Sequence, residues 1–470
     1  MIRENRTIVM KFGGTSVQDA DAISKVVEIV RNARADGKRC VVVVSALGGV
    51  TNRLQAGIER AAAGDPAYHR EVAEELWQRH EQVARALTAS PGTLLEEISR
   101  LFVEYTRFGD SVYVLGEATA RALDYTMGLG ERASARLVAE ALRVADIPAQ
   151  AIDATGIIVT DDCYQQATPL LKPTRERVTQ VLPPLLEAGI TPVVTGYIGA
   201  TASGVSTTLG RGGSDYSASL IGAMLNCDEV WIWTDVDGVM TADPRIVPDA
   251  RTIEVLTHSE VSELAYFGAK VLHPRTIRPL IEASIPLRVK NTFNPDHPGT
   301  LITANGNGNA RPLKAVTAIR DVSQITVAGK GMLGVPGIAA RTFAAVAQTG
   351  TNVLMISQSS SEQSICFIIP QSRAPVVVAA LNEQFAQELA RRDIDSVTAD
   401  DNVTIITMVG ERVRQTAGVA GQVFSAVGAR GINLLAIAQG SSDSSLSVVV
   451  AADDADAALR AIHELIVNSK

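Results

Sequence analysis

The chain of 470 residues lacks the features that mark several common classes of protein. It has four scattered cysteines, none spaced like a zinc knuckle or a disulfide framework: Cys40, Cys163, Cys227 and Cys366. Its six histidines do not cluster either, so we predict no protein-bound metal. The formal net charge of -8 argues against a nucleic-acid partner. Because there is no membrane-length apolar run and no signal-peptide core, we expect a cytoplasmic protein without a membrane partner.

The Walker phosphate loop and the protein-kinase signatures are also absent. A different glycine loop is present near the N-terminus, where an apolar strand from Ile8 runs into Lys11, Gly13 and Gly14. Glycines let backbone N–H groups approach an oxyanion closely, and a lysine adds a compact positive charge. An ordinary strand-to-helix turn would explain this loop alone. Because similar loops recur, we predict a phosphate-handling enzyme of another architecture.

Two further loops follow predicted strands. The strand 41–45 ends at Ser45, and its loop contains two glycines and Thr51. After the strand 192–196, the stretch 207–215 combines three glycines with Arg211 and ends in Ser214 and Asp215 at a helix start. Backbone donors, an arginine and a helix N-terminus together suit an anionic transition state. A simple helix cap would not need the glycine and arginine cluster.

Other candidate residues depend on their place beside strands and helices. Glu131 begins a predicted helix over 132–142, where it faces a substrate ammonium group or merely favours the helix N-terminus. Thr234 and Asp235 follow the predicted strand 229–234. Ligands of open α/β sheets bind at the carboxyl ends of strands, where these loops would meet. Lys270 is a further candidate for contact with phosphates.

The organisation of the chain follows from composition and repetition. A helical hairpin is predicted over 61–110, with a capping box at Thr93 and Glu96 and a solvated charged face. The turn-rich stretch 291–312 is predicted to be a linker.

Two C-terminal segments repeat one another at a constant spacing of 81 residues, from Phe343 to Phe424. Each copy is predicted to form a strand, a helix, two strands and a helix. The second copy ends too soon for a closing strand. We therefore predict that 315–320, before the first copy, supplies that edge.

These motifs resemble those of the aspartokinases of the amino-acid kinase family over essentially the full length. Four motifs carry the resemblance: Lys11-Phe-Gly-Gly-Thr-Ser16, Gly-Arg-Gly-Gly-Ser-Asp215, Thr-Asp-Val-Asp-Gly238 and Phe-Gly-Ala-Lys-Val-Leu-His-Pro274. The repeat resembles paired ACT modules. The resemblance implies an α/β three-layer sandwich with a mainly parallel eight-stranded sheet, plus two ferredoxin-like α+β modules. The implied domains are 1–300, with the helical insertion, 313–400 and 401–470.

The resemblance also implies the reaction, the transfer of phosphate from ATP, with Mg²⁺, to the side-chain carboxylate of L-aspartate. The product would be 4-phospho-L-aspartate, in the first step of lysine, threonine and methionine biosynthesis. A carboxylate acceptor is already ionised at neutral pH, so the transfer needs positioning and charge neutralisation rather than a general base. Because the chain stops after the second module, we expect a monofunctional enzyme without a fused homoserine dehydrogenase.

The site residues are carried over by position. Those implied for the phosphoryl group are Lys11, Gly13, Gly14, Arg211 and Asp215. Those implied for aspartate are Ser45, Thr51, Glu131, Arg211 and Ser214. Those implied for the nucleotide are Lys11, Thr234, Asp235, Arg245 and Lys270. One departure is Met240, where the family usually has tyrosine, which puts an aromatic contribution to the nucleotide pocket in doubt.

The repeats are expected to bind a feedback amino acid and to join subunits into a homodimer or larger assembly. Threonine is favoured, because the run 358–362 is similar to that of threonine-responsive members. The implied effector residues are Asn352, Gln358, Asn433 and Gln439. Lysine stays open, since Glu362 or Asp443 would suit its ammonium group. The remaining alternatives are acetylglutamate kinase, glutamate kinase and an amino-acid sensor with a degenerate kinase domain.

Overall fold

The computed structural model describes residues 6–269, 272, 274–306, 312–358, 363–439 and 443–468. These residues form two compact units. The first takes the described residues up to Val239, those of 252–258 and those from 272 to 305. The second takes 240–251, the described residues after His258 up to 269, and the described residues from 306 onward.

The first unit is built on a parallel sheet. Its strands are β1 (Thr7–Phe12), β2 (Arg39–Val44), β3 (Ala149–Ile152), β4 (Val159–Thr160), β5 (Thr191–Thr195), β6 (Ile198–Thr201), β7 (Ser206–Thr208), β8 (Glu229–Thr234), β9 (Val255–Thr257), β10 (Leu287–Asn291) and β11 (Thr300–Thr303). Among the described residues, eight of them form one sheet in the order β3-β5-β2-β1-β8-β10-β11-β9, and β4-β6-β7 form a smaller one. Neighbours in the large sheet are parallel except β10 and β11. This confirms the predicted α/β sheet.

The described residues of the first unit also form helices, some of which pack on the large sheet. They are α1 (Ala20–Ala35), α2 (Val50–Ala62), α3 (Tyr68–Leu87), α4 (Gly92–Leu115), α5 (Ala120–Met127), α6 (Leu129–Val144), α7 (Leu171–Glu187), α8 (Gly213–Leu225) and, after α9 of the second unit (His258–Tyr266), α10 (Pro274–Ala283). In β1, Ile8, Met10 and Phe12 are buried in one apolar cluster with α1. Since side chains alternate along a strand, Lys11 projects from the opposite face, against which α8 packs.

Two predictions about the first unit are wrong in detail. The stretch 291–312 is not only a linker, because β11 lies within it and pairs with β10. Three of the four residues from Thr300 to Thr303 are β-branched, which favours a strand after the turn. The predicted helical hairpin is confirmed as α3 and α4, but α4 begins at Gly92 after Pro91, with no side-chain cap. Thr93 is therefore inside the helix rather than at its cap.

The second unit contains the sequence repeat. Its elements after α9 are β12 (Ala315–Ala328), α11 (Ile338–Gln348), β13 (Met355–Gln358), β14 (Ser364–Pro370), α12 (Ala374–Gln384), α13 (Ala386–Arg391), β15 (Ser396–Val409), α14 (Val419–Gly428), β16 (Ala436–Ala438), β17 (Ser445–Ala451) and α15 (Ala455–Asn468). The described strands form one sheet in the order β13-β14-β12-β15-β17-β16. Each repeat has the predicted order of elements, which confirms the α+β modules.

The two repeats share the long strands β12 and β15, which pair with each other. The first half of β12 pairs with the end of β15, from Ala315 opposite Val409 to Ile319 opposite Ile405. This confirms that the segment before the first copy closes the second copy. The start of β15 closes the first copy in the same way, since Ser396 lies opposite Ala328. The register shifts between these two halves.

The second unit also incorporates two segments from the sequence range of the predicted first domain, 240–251 and 259–269. Thr241 Oγ1 shares a buried hydrogen bond of 2.8 Å with His463 Nε2 on α15. Lys314 Nζ lies 2.9 Å from Glu260 Oε1 on α9, and both side chains are buried. These contacts fix both segments to the repeats.

Candidate active site

A cleft of about 690 Å³ lies in the first unit, at the carboxyl ends of β1 and β2. This is where the loops of an open α/β sheet are expected to bind a ligand. The structure brings together most of the residues predicted for phosphoryl transfer and substrate binding. The predicted residues that line the cleft are Lys11, Gly14, Ser45, Thr51, Glu131, Arg211, Ser214 and Asp215.

Lys11 and Asp215 form an ion pair at the cleft. Lys11 Nζ lies 2.5 Å from Asp215 Oδ1, and the two side chains are 12% and 16% exposed. Lys11 comes from β1, and Asp215 lies in the first turn of α8. The pair therefore fixes the lysine at the N-terminal end of α8, where the helix dipole also favours an anion. Arg211, which is exposed, adds a second positive charge to the lining.

The loops after β1 and β2 approach each other closely. A Cβ on Gly14 would lie 3.1 Å from the Ala46 carbonyl oxygen, so a larger residue would push the loops apart. The Gly48 N–H donates to the Gly14 carbonyl at 3.0 Å and joins the two loops. The Gly13 N–H donates to the Trp233 carbonyl at 3.2 Å. Of the two predicted glycines, only Gly14 is among the lining residues.

The loop before α8 requires glycine for its backbone shape. Gly210 and Gly212 have φ values of 74° and 73°, in the left-handed region that favours glycine. These two residues flank Arg211 and turn the chain from β7 into α8. The glycines of the predicted motif thus set the direction in which the arginine leaves the backbone.

Glu131 is a buried carboxylate in the first turn of α6. It is 3% exposed, and its Oε2 atom makes no hydrogen bond with a described residue. Burial raises the pKa of Glu131 to about 7, while backbone hydrogen bonds from Ala46 and Glu131 itself act to lower it. An unpartnered buried carboxylate oxygen lining a cleft is suited to a cationic group of a ligand.

Several lining residues were not predicted from the sequence. They are Ala46, Leu47, Asn52, Gln55, Met127, Gln165, Gln166 and Tyr197. Gln165 and Tyr197 have φ values of 69° and 68°, which is uncommon for residues other than glycine. No residue pattern marks the two glutamines. Tyr197 directly follows the predicted strand 192–196 and could have been found as a strand-end residue.

The residues predicted for the nucleotide do not all belong to one unit: Thr234 and Asp235 lie in the first unit and Arg245 in the second. Thr234 ends β8, which pairs with β1, and its hydroxyl donates to Asp235 Oδ1 at 3.0 Å. Arg245 belongs to the second unit, where its guanidinium pairs with Asp243 at 2.6 Å. Met240 belongs to the second unit too. Lys270 lies outside the described residues.

The predicted effector residues occupy equivalent places in the two repeats. Asn352 precedes β13 and Gln358 ends it, while Asn433 precedes β16 and Gln439 directly follows it. All four side chains are exposed. Glu362 lies outside the described residues. Asp443 Oδ2 accepts a hydrogen bond of 2.9 Å from Gln415.

The described residues contain neither a cluster of metal-binding side chains nor a helix that could span a membrane. Within those ranges, no three His, Cys, Asp or Glu side chains are grouped so as to hold a metal ion. In the same part of the chain, no helix has the length and apolar character needed to cross a membrane.

Comparison with known families gives two matches. Residues 6–291 match the amino acid kinase family. Residues 325–385 and 406–465 match the ACT domain. The two ACT matches fall on the two copies of the repeat.

Similar proteins include both long and short relatives. The chain is 36% identical over 470 residues to bifunctional aspartokinase/homoserine dehydrogenase 1, chloroplastic, of Zea mays, and the match covers 98% of this chain and 50% of the relative. It therefore spans about half the length of the bifunctional relatives it matches. It is 32% identical over 476 residues to aspartokinase 1, chloroplastic, of Arabidopsis thaliana, covering 97% of this chain and 80% of that one.

The similar solved structures are also aspartokinases. Aspartokinase III of E. coli in complex with aspartate and ADP, in the R-state, has a TM-score of 0.81 and 30% identity, covering 98% of this chain and 100% of that chain. The same protein with lysine and aspartate, in the T-state, has a TM-score of 0.78 and 30% identity, covering 98% and 99%. The family match, the two ACT matches and these relatives show that the chain belongs to the aspartokinases of the amino acid kinase family.

Proposed function

We propose that the chain phosphorylates the side-chain carboxylate of L-aspartate with ATP and forms 4-phospho-L-aspartate and ADP. The observation that carries the proposal is the cleft shared by Lys11, Arg211 and Glu131. It offers two cationic groups for phosphates and carboxylates and one buried carboxylate for an ammonium group. The aspartokinase relatives, one of them solved with aspartate and ADP, support it.

The transfer needs charge neutralisation and alignment rather than proton removal. An aspartate carboxylate oxygen attacks the γ-phosphorus in line, a new P–O bond forms, and the bond to the β-phosphate oxygen breaks as ADP leaves. Lys11, held by Asp215 at the start of α8, would neutralise charge on the transferring group, with Gly14 allowing close approach. Arg211 and Ser214 would orient the acceptor.

Glu131 is the residue proposed to select a free amino group. Its buried Oε2 atom would accept from the ammonium group of aspartate. An N-acetylated amino acid has a neutral amide there and would leave the carboxylate unpaired, which argues against acetylglutamate kinase. Ser45 and Thr51 would contact the substrate carboxylates from the loop after β2. Glutamate keeps the ammonium group, so its exclusion would depend on length alone.

The nucleotide and its ion are proposed from the reaction. Thr234 and Asp235, at the end of the strand beside β1, would contact ATP, with Arg245 and Lys270 as further candidates. Mg²⁺ keeps several water ligands and is usually held through substrate phosphates, so a cleft with few carboxylates fits it. When bound, the ion would neutralise phosphate charge.

The test is an ADP-release assay with aspartate, glutamate and N-acetylglutamate as acceptors. We expect turnover with aspartate and little with the other two. Turnover with N-acetylglutamate above that with aspartate would contradict the role of Glu131. No turnover with any acceptor, in protein that still binds ATP, would favour an amino-acid sensor with a degenerate kinase domain.

We also propose that the repeats bind a feedback amino acid, with threonine favoured. The four exposed amides Asn352, Gln358, Asn433 and Gln439 support this, because an amide can both donate to and accept from a hydroxyl group. Lysine is the second candidate, since the E. coli relative has been solved with lysine. An inhibitor must bind the less active state more tightly, so losing a contact should shift the inhibition curve.

Titrating wild type, Gln358→Ala and Gln439→Ala with both amino acids decides between these effectors. We expect threonine to inhibit wild type and each variant to need more threonine, with little change in the uninhibited rate. Inhibition by lysine alone, or threonine curves that are unchanged in both variants, would contradict the threonine proposal.

The proposed domain limits are 1–300 for the catalytic domain, 313–400 for the first ACT module and 401–470 for the second. We further propose a homodimer or larger assembly through the ACT modules. The sheet of the second unit ends in β13 and β16, which lie near each other but have no hydrogen-bonded strand on their outer edges among the described residues. Open edges favour pairing between chains.

A further inference from the structure

Asp124 is a buried carboxylate on α5 that has no part in the proposed phosphoryl transfer. It has no solvent exposure. Its oxygens accept from two backbone N–H groups and one hydroxyl: Oδ2 from Gln165 N–H at 2.9 Å and Thr208 N–H at 2.9 Å, and Oδ1 from the Thr208 hydroxyl at 2.7 Å. Oδ1 also lies 3.0 Å from the Gln165 nitrogen. A buried charge satisfied by several donors holds those donors in place.

The two partners of Asp124 lie on separate segments that form one side of the cleft. Gln165 is itself a lining residue. Thr208 ends β7, only three residues before Arg211. The Ala167 N–H donates to the Thr208 carbonyl at 2.9 Å, so the two segments are also tied to each other. Asp124 thus connects α5 to the strand end that precedes the arginine loop and to the separate segment at Gln165.

The backbone at Gln165 shows why this anchor matters. Its φ of 69° lies in the left-handed region, which costs a residue other than glycine on the order of 1 kcal/mol or more. The backbone N–H of Gln165 itself donates to the Asp124 carboxylate. Without the carboxylate, the loop would lose the contact that offsets the unfavourable conformation.

We propose that Asp124 is a positioning residue that sets the aspartate-binding side of the cleft by fixing the loops of Gln165 and Arg211. The proposal rests on the proposed function. It extends that function, because the binding of aspartate would depend on a residue that does not itself line the cleft. The part of the site near Thr234 has no contact with Asp124 among the described hydrogen bonds. Loss of the anchor should therefore affect aspartate more than ATP.

Asp124→Asn is the sharpest substitution. It preserves shape but removes the charge. In one orientation the Gln165 and Thr208 N–H groups keep only a neutral amide oxygen as acceptor, and in the other they face the amide nitrogen, which can only donate. Thr208→Val is a milder change, because it removes the hydroxyl donor and keeps the N–H. The matched control is Thr174→Val on α7. Thr174 is a buried threonine whose hydroxyl bridges the N–H and the carbonyl of Val159 at 3.1 and 3.2 Å, outside the cleft lining.

Steady-state kinetics give the first readout. We expect Asp124→Asn to raise KM for aspartate by about tenfold or more and to leave KM for ATP within about twofold, since one or more buried hydrogen bonds to a charge are lost. Thr208→Val should lie between wild type and Asp124→Asn. Thr174→Val should lower Tm without this split in KM values. An unchanged KM for aspartate in both Asp124→Asn and Thr208→Val would overturn the proposal.

Amide hydrogen exchange in the absence of substrate gives a second readout that does not depend on the activity. We expect faster exchange over 163–168 and 209–213 in the Asp124 and Thr208 variants, and not in Thr174→Val. Unchanged exchange there would overturn the positioning role even if wild type is active. Conversely, a wild type inactive with aspartate would contradict the proposed function while the exchange data still test Asp124. If Asp124→Asn does not fold, Thr208→Val supports both measurements.

Discussion

Glu131 carries charge in the protein interior, and this has opposite effects on binding and on stability. Its ionised form is the one that would hold an ammonium group. Burial raises the pKa of Glu131 to about 7, above the ordinary value of 4.5. The folded protein therefore holds a proton there that the unfolded chain releases between pH 4.5 and about 7. As a result, stability falls as pH rises through that window and remains reduced above it.

Glu131→Gln should therefore separate the two effects. We expect its Tm to exceed that of wild type at pH 8, the gain to be smaller at pH 5, and the gain to disappear below pH 4.5, where the wild-type carboxyl is protonated in both states. KM for aspartate should be high in the variant at every pH. In wild type, KM should rise as pH falls from 8 to 6.

Thermal melts and initial rates at several pH values measure both effects. Glu140→Gln, on the same helix α6 and outside the cleft lining, is the control. An equal Tm gain at pH 5 and pH 8 would contradict the burial of an ionised carboxylate at position 131.

Lys11→Ala tests the phosphoryl site at the same scale. Losing one contact to transition-state charge costs on the order of 3–4 kcal/mol, so kcat should fall by about 10² to 10³. The double variant Lys11→Ala with Asp215→Asn removes the carboxylate that the single change leaves without its ion pair, and should recover stability but not turnover. Lys25→Ala, on the exposed surface of α1, is the control. A folded Lys11→Ala protein with turnover within a few-fold of wild type would contradict the assignment.

The position of single residues in the cleft was predicted correctly where their chemistry and their place after a strand both pointed to it. Lys11, Ser45, Arg211 and Asp215 each stand in or beside a loop that follows a strand, and all line the cleft. Asp124 was missed because its partners are 41 and 84 residues away, and no local pattern marks that kind of contact. The roles of all these residues remain predictions.

At the scale of whole elements, the helical insertion takes part in the site. From the sequence, its charges were predicted to form a solvated face. Arg79 on α3, however, donates to the Gly48 carbonyl at 2.7 Å and to the Gln18 carbonyl at 3.0 Å. Gly48 belongs to the loop after β2, and Gln18 follows the loop after β1. The Arg79 guanidinium thus connects the loop after β2 to the segment that follows the loop after β1.

Removing that support should weaken catalysis without removing any cleft residue. We expect Arg79→Ala to lower kcat/KM by about 10- to 100-fold, because small displacements of reacting groups have effects of that size. Arg79→Lys should recover only part of it, since an ammonium group lacks the planar fork that reaches two carbonyls. Steady-state kinetics measure this, with Arg85→Ala on the exposed face of α3 as the control. Equal losses in both alanine variants would contradict a specific role for Arg79.

Several long elements were predicted from the sequence, whereas the shortest strands were not. The apolar runs of β1, β2 and β8 and the repeat in the second unit were found because several turns or a full strand carry a consistent pattern. The short strands β4, β7, β9 and β11 were missed, since two to four residues carry no period. For β11, the neighbouring Pro and Gly residues also pointed to a linker.

At the scale of the whole molecule, the open edges of the second unit's sheet are the proposed site of assembly. Ile356 on β13 and Ile437 on β16 are 51% and 44% exposed and occupy the same position in the two repeats. Apolar side chains on an unpaired edge are typical of strands covered by another chain. We therefore expect light scattering to show at least a dimer at micromolar concentration.

Replacing both isoleucines by lysine should reduce the assembly, because lysines on an edge strand oppose pairing. The control is Val376→Lys on α12, which is 43% exposed in the same unit but away from the sheet edges. A wild-type monomer, or a double variant with the mass of wild type, would contradict assembly through these edges.

The exchange of strands between β12 and β15 has a consequence for cooperativity. One strand pair closes both ACT modules, because the start of β12 closes the second module and the start of β15, a strand that continues into the second module, closes the first. Cutting the chain at the proposed boundary after residue 400 would divide β15 and leave the second module without its closing strand. Loss of order in one module withdraws a strand from its neighbour, so the pair should melt in a single transition. A duplicated sequence has in this way become one unit of folding, and a change felt by one copy reaches the other through continuous backbone.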